Sequence, residues 1–181
     1  RKIIVMSAPN RSLLSRERER DTQLAFVQLL QTSPTFREWA VSQLAPEIQQ
    51  VEFLSVSHSV VDYFGETDIE IRLRDEAGGD HFILVECKID ASFLPDQIER
   101  YHKRGDKYCE KGFCEDFSVG LLAPEEYVSD TDSFDGVITF EQILQQLDDL
   151  SHDGSPFFST LFKKASAKEA GTEKGSVIDR I

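Results

Sequence analysis

What this chain has little of narrows its chemistry before any motif is read. Three cysteines cannot all pair within one chain, and Cys87 falls inside the most apolar strand candidate, which argues for reduced thiols over a disulfide scaffold. No apolar run approaches the roughly 20 residues that a membrane span requires. The short Ile3-Ile4-Val5-Met6 run behind the basic start is too brief for a secretory signal, so a cytoplasmic, water-soluble protein is expected. Positive charge is also scarce, with 20 Lys and Arg against 33 Asp and Glu and a net charge of −13. That balance argues against a surface embracing nucleic acid over its whole area, because phosphate binding draws its affinity from Lys and Arg. It does not argue against a carboxylate cluster that holds a cation, since such a cluster itself adds negative charge.

With 181 residues there is room for one domain with a substantial core. From Ser15 to about Leu44 the apolar spacing predicts two helices, broken at Ser33-Pro34. Val51 to Tyr63 and Gly65 to Arg74 read as strands, the second alternating Ile69, Ile71 and Leu73 against Asp68, Glu70 and Arg72. After the turn Ala77-Gly78-Gly79-Asp80, the apolar run His81 to Ile89 completes a hairpin and should lie centrally. A helix from Phe93 to about Lys111, strands at Phe117 to Ala123 and Gly136 to Phe140, and a helix from Glu141 to Leu150 follow. The expected architecture is therefore α/β: a mixed central sheet, with an antiparallel hairpin extended by a parallel strand and flanked by helices. One more helix is expected near Phe157 to Ala170, then a weakly ordered tail; there is no internal repeat. The missing initial methionine and the polar end suggest a chain cut from something longer.

Alternation puts Phe82, Leu84, Glu86 and Lys88 on one face of their strand, so an acid and a base emerge side by side from apolar surroundings. Buried charges are costly unless paired or bound to metal, and a simple ion pair would satisfy Glu86 and Lys88 without catalysis. Asp68 on the neighbouring strand alternates away from Ile69 and Ile71. If it shares the face of Glu86, two carboxylates and a lysine converge. Such carboxylates repel one another unless a divalent cation neutralises them. Mg²⁺, which takes oxygen ligands from one or two carboxylates plus substrate phosphate, is the natural choice. A cation there would polarise a phosphodiester and acidify an attacking water, with Lys88 positioning that water or stabilising the transition state.

Gly65-Glu66-Thr67-Asp68, a strand, a turn and then Val85-Glu86-Cys87-Lys88-Ile89-Asp90-Ala91 resemble the D…(D/E)xK signature of PD-(D/E)XK, or restriction-endonuclease-like, nucleases. Gln97 and Tyr101 are similar to the QxxxY element of the RecB-like branch, and their spacing of four sets them on one helix face. The resemblance covers about Arg16 to Leu150, within a nuclease-like domain of residues 1–150, and departs at Thr67, where the family has proline. It implies a restriction-endonuclease-like core and a Mg²⁺- or Mn²⁺-dependent nuclease, a deoxyribonuclease acting in antiviral defence or DNA repair. Asp68 and Glu86 would bind metal, Lys88 assist the attack and Gln97 order the site. Many members add a first-helix acid, for which Glu17 and Glu19 are the candidates. Glu19 falls on the apolar face of Phe26 and Leu30, yet Arg16 to Asp21 reads equally well as a solvated charge run.

Arg100, Lys103, Arg104, Lys107 and Lys111 follow offsets of three and four and form a candidate basic stripe beside Tyr101, either a phosphate guide or a solvated helix face. Cys109 and Cys114 are spaced like half of a zinc site, but no second pair completes it, which leaves two ordinary thiols. The four histidines show no ligand or triad spacing. DNA is the expected partner, with a further domain, a protein partner or a second copy compatible and no membrane. The rival reading is a catalytically inactive nuclease-fold module that serves as a protein-interaction domain in a larger complex, which the acidic charge would suit.

Overall fold

A computed structural model describes residues 11–49, 51–89, 95–130, 132–150 and 155–167, with side chains of the first helix described from Glu19 onward. Helices α1 (Arg11–Thr32) and α2 (Pro34–Leu44) meet at Ser33. Its hydroxyl accepts from the Phe36 amide at 3.3 Å, and Pro34 follows at a first helical position where no N–H is missed. Strands β1 (Glu52–Asp62), β2 (Gly65–Arg74) and β3 (Asp80–Cys87) come next, then helix α3 (Pro95–Glu110). Strand β4 (Asp116–Ala123), a 3-10 helix (Glu125–Asp130), strand β5 (Gly136–Thr139) and helices α4 (Phe140–Asp149) and α5 (Ser155–Ser166) complete the order.

The five strands form one sheet in the order β1-β2-β3-β4-β5. β2 runs antiparallel to both β1 and β3, whereas β4 joins β3 and β5 joins β4 in parallel. This is the mixed sheet expected from the sequence: a hairpin extended by a parallel strand across a helical crossover. Alternation divides the side chains between two cores. Ile69, Ile71, Leu73, Ile83, Val85 and Cys87 face α1, α2, α4 and α5, while Phe82, Leu84, Val119 and Leu121 face Tyr101 and Tyr108 of α3. Covered on both faces, β3 is buried from His81 to Cys87, which explains its near-continuous apolar sequence. Gly105 lets α3 lie flat against β4, because a Cβ there would overlap the Phe117 ring.

Several boundaries differ from the sequence reading. β3 ends at Cys87, and Lys88 lies just past it, although its amide still donates to Leu122 O at 2.9 Å. Phe140 opens α4 rather than closing β5, because Thr139 and Gln142 form a capping box. The 3-10 turn after Pro124 was not anticipated. α5 begins earlier than expected and inserts Phe158, Phe162 and Ala165 into the same core as α1 and α4. The end of the expected helix at residues 168–170 and the expected tail beyond it, like Asp90, Ala91 and Phe93, lie outside the described residues. No helix among the described residues is long and apolar enough to cross a membrane.

Candidate functional site

The candidate site forms where β2 and β3 stop pairing. Their last antiparallel pair is Ile69↔Val85, with Asp68 and Glu86 one residue further along each strand. The Asp68 carboxylate takes up the backbone group that the ladder leaves over, accepting from the Cys87 N–H at 2.9 Å through Oδ2. Glu86, almost fully buried, receives Lys88 Nζ at 2.7 Å on Oε1. Helix α3 closes the site from above: Gln97 Nε2 donates to the same Glu86 oxygen. The Tyr101 hydroxyl accepts from the Asp68 amide at 3.2 Å and is also hydrogen-bonded to Glu86. The four-residue spacing thus directs an amide and a phenol from one helix face onto one carboxylate.

A polar cleft of about 140 Å³ opens here, lined by Asp68, Glu86, Gln97, Tyr101, Arg100 and Arg104, and by the β1–β2 turn through Phe64, Gly65 and Glu66. Lys88 is outside this lining, and its Nζ reaches the same Glu86 oxygen that Gln97 holds. Burial, reinforced by the Glu86 charge, pushes the Asp68 carboxyl up to about 8, against the opposing pull of the Cys87 amide. Lys88 shows the reverse balance. Burial works against its ammonium, but Glu86, by charge and hydrogen bond, and then Glu19 and Asp68, hold its pKa above the usual lysine value. Burial and the same two carboxylates push the Tyr101 phenol up, which keeps it neutral. Lys88, Gln97 and Tyr101 all bond the Glu86 side chain, and Asp68 is the carboxyl that prefers its proton.

Not every predicted residue gathers here. Asp68, Glu86, Lys88, Gln97 and Tyr101 come together, and the Tyr101 hydroxyl bonds the Asp68 backbone amide and the Glu86 side chain. Glu19 is close enough for its charge to act on Asp68, Cys87 and Lys88. Among the described residues, however, no three His, Cys, Asp or Glu are placed to hold a metal ion, so Glu19 does not join Asp68 and Glu86 in a three-carboxylate set. The Glu17 side chain lies outside the described residues.

The basic stripe needs correction. Arg104 is 2% exposed, and its guanidinium donates to Tyr108 Oη at 2.9 and 2.7 Å, to Asp62 Oδ2 at 3.0 Å and to Val60 O at 3.3 Å. Tyr108 in turn donates to Asp62 Oδ2 at 2.6 Å and Glu70 Oε2 at 3.1 Å. Arg104 therefore bolts α3 to β1 and β2 rather than presenting charge at the surface. Lys103 pairs with Glu99 at 2.5 Å and Lys107 with Glu110 at 2.6 Å, so each exposed lysine is partly neutralised by its own helix. The sequence reading missed the network of Tyr108, Asp62 and Glu70. Its signal was present, because residues 97, 101, 104 and 108 repeat at helical spacing and predict one buried polar face.

Two oxygen donors in a polar cleft, one of them a carboxyl driven to hold a proton first by burial and then by its neighbour's charge, suit a divalent cation. Mg²⁺ needs only one or two carboxylates when water and phosphate complete its shell. Compared with known proteins, the chain matches no family profile and no curated protein. Among solved structures it is similar to the small subunit of a heterodimeric restriction endonuclease, at 15% identity over 80% of this chain and 98% of that one, with a TM-score of 0.29. The functional reading therefore rests on the site.

Proposed function

We propose that this chain is a metal-dependent nuclease that hydrolyses phosphodiester bonds, with DNA as the preferred substrate, and that it resembles the RecB-like branch in its QxxxY element. The observation that carries the reading is Asp68. An ion pair alone accounts for Glu86 and Lys88, but it leaves a second, mostly buried carboxyl raised to about 8 beside them. Burial is costly for a carboxyl that serves structure alone, whereas a bound cation would offset both the burial and the Glu86 charge.

In this reading Asp68 and Glu86 hold magnesium or manganese, which when bound would neutralise charge on the phosphodiester and acidify the attacking water. Gln97 and Tyr101 fix the orientation of the Glu86 carboxylate, so its oxygens need not reorganise as charge develops. The Cys87 amide does the same for Asp68. Lys88, held protonated by its carboxylate neighbours, sets a fixed positive charge beside the reacting centre. The test is incubation of supercoiled plasmid and single-stranded DNA with the protein in Mg²⁺, Mn²⁺ or EDTA. Cleavage that depends on metal and disappears in Lys88→Ala is expected. No cleavage under any condition would favour the non-catalytic interaction module, which the complete pairing of Lys88 with Glu86 also suits.

A further inference from the structure

The structure assigns Cys109 and Cys114 as an oxidisable dithiol, a site where peroxide closes an intramolecular disulfide at the end of α3. Their sulfurs lie 3.2 Å apart, in van der Waals contact and already directed at one another. Formation of a bond of about 2 Å asks the sulfurs to approach by little more than an ångström. The intervening turn is built for close approach: Gly112 takes φ +73°, its amide donates to Cys109 O at 2.9 Å, and the Phe113 amide donates to Tyr108 O at 2.9 Å. The inference is independent of the nuclease reading.

The two thiols are not equivalent. Cys109 is half-buried and Cys114 is 6% exposed, so Cys109 meets the oxidant first. Burial, with the neighbouring Cys109 thiol, pushes the Cys114 thiol pKa well up, and oxidation of Cys109 removes the second of these influences. In the first step the Cys109 sulfur attacks hydrogen peroxide, the O–O bond breaks, and a sulfenic acid and one water form. In the second, the Cys114 sulfur attacks the Cys109 sulfur, the S–O bond breaks, and the hydroxyl leaves as water with the Cys114 proton. The two sulfurs together lose two electrons and one peroxide becomes two waters. Cys87 is an internal control, because it is fully buried in the core on the opposite face of the sheet and its thiol pKa is pushed far up by burial.

Lys111 lies between the two cysteines, so trypsin separates them and makes the bond directly visible. The protein is treated with hydrogen peroxide, remaining thiols are blocked, and intact and tryptic masses are read with and without reductant. The expected result is a monomer that has lost two hydrogens and takes up one blocking group, at Cys87, where the untreated protein takes up three. A linked pair of peptides should appear, one spanning residues 108–111 and the other beginning at Gly112, and dithiothreitol should release both. Cys114→Ser should instead accumulate a Cys109 sulfenic acid that dimedone captures, and Cys109→Ser should show no loss of hydrogen. Thiols that remain free, oxygen added at Cys109 in the wild type without the linked peptides, or disulfide-joined dimers would each overturn the assignment.

Discussion

Replacing Asp68 with Asn tests the site through stability rather than through catalysis. The substitution keeps the shape, and the Asn Oδ1 can still accept the Cys87 amide that Oδ2 holds at 2.9 Å. What it removes is a carboxyl raised from 3.8 to about 8 by burial and by Glu86. A group whose folded pKa lies above its unfolded value contributes stability that is complete below the unfolded pKa and is lost as pH rises through the folded one. Wild-type protein in EDTA should therefore lose stability between about pH 4 and pH 8, and the Asn variant should lose less. At ~1.4 kcal/mol per pH unit the ceiling on this difference at pH 7 is about 4 kcal/mol. Relaxation of a cleft open to water brings the expectation to about 2 kcal/mol, or roughly 4–8 °C in melting temperature for a chain of this size. The assay is thermal melting of both proteins at pH 5, 7 and 9, in EDTA and in excess Mg²⁺. The variant should melt higher in EDTA by a margin that grows with pH, and should lose most of the stabilisation that Mg²⁺ gives the wild type. A variant that melts lower at every pH, with an unaltered Mg²⁺ response, would refute the cation site and leave Asp68 a structural acceptor.

Lys88→Ala should abolish metal-dependent plasmid cleavage with the fold intact by circular dichroism. Glu86→Ala should abolish it as well but cost about 3 kcal/mol in urea unfolding, because it strands the largely buried Lys88. Gln97→Ala should slow cleavage roughly 10- to 100-fold without eliminating it, since a neutral amide orients Glu86 and performs no chemistry; complete loss would mean a larger role. Arg104→Met should lower stability by about 3 kcal/mol and leave the salt dependence of DNA binding unchanged. By contrast, the double variant Lys103→Glu, Lys107→Glu should flatten that dependence by about one unit of slope per lost phosphate contact, and an unchanged slope would make both lysines solvated charge. Fluorescence anisotropy with labelled DNA should show binding that is weak in EDTA and strengthens in Ca²⁺; equal affinity in both would contradict a cation-bridged substrate.

The fold was legible where a single periodicity governs a whole segment. Alternation in Ile69-Glu70-Ile71-Arg72-Leu73 placed β2 correctly, and the unbroken apolar run of β3 marked a strand covered on both faces. The convergence of Asp68 with Glu86 was legible for the same reason, because both follow from strand parity and one hairpin. Arg104 was not, since local spacing reports which residues share a helix face and not whether that face is buried. Arg100 and Lys103 lie toward solvent, but Arg104 turns under the helix because Tyr108 and Asp62, the latter 42 residues away in the chain, offer it partners. The contact between Cys109 and Cys114 was likewise hidden, because it depends on the positive φ of Gly112 and not on cysteine spacing alone.

The distribution of charge explains why an acidic chain is compatible with a phosphate substrate only under one condition. Around the cleft stand Glu66, Asp68 and Glu86, and facing them Arg100 and Arg104. Arg104 is already neutralised by Asp62, and Lys88 by Glu86. Arg100 is then left to balance the remaining carboxylates, and the lysines further along α3 carry their own glutamates. Protonation of Asp68 lessens the imbalance but supplies no positive charge. With Asp68 protonated the lining carries no net positive charge to draw an approaching phosphodiester. A divalent cation between Asp68 and Glu86 would supply positive charge where the phosphate must sit, so the same ion that would perform the chemistry would also admit the substrate. Binding and cleavage should therefore share one metal requirement, and an Asp68→Asn protein that bound DNA as tightly as the wild type in Ca²⁺ would show that something other than these carboxylates recruits it.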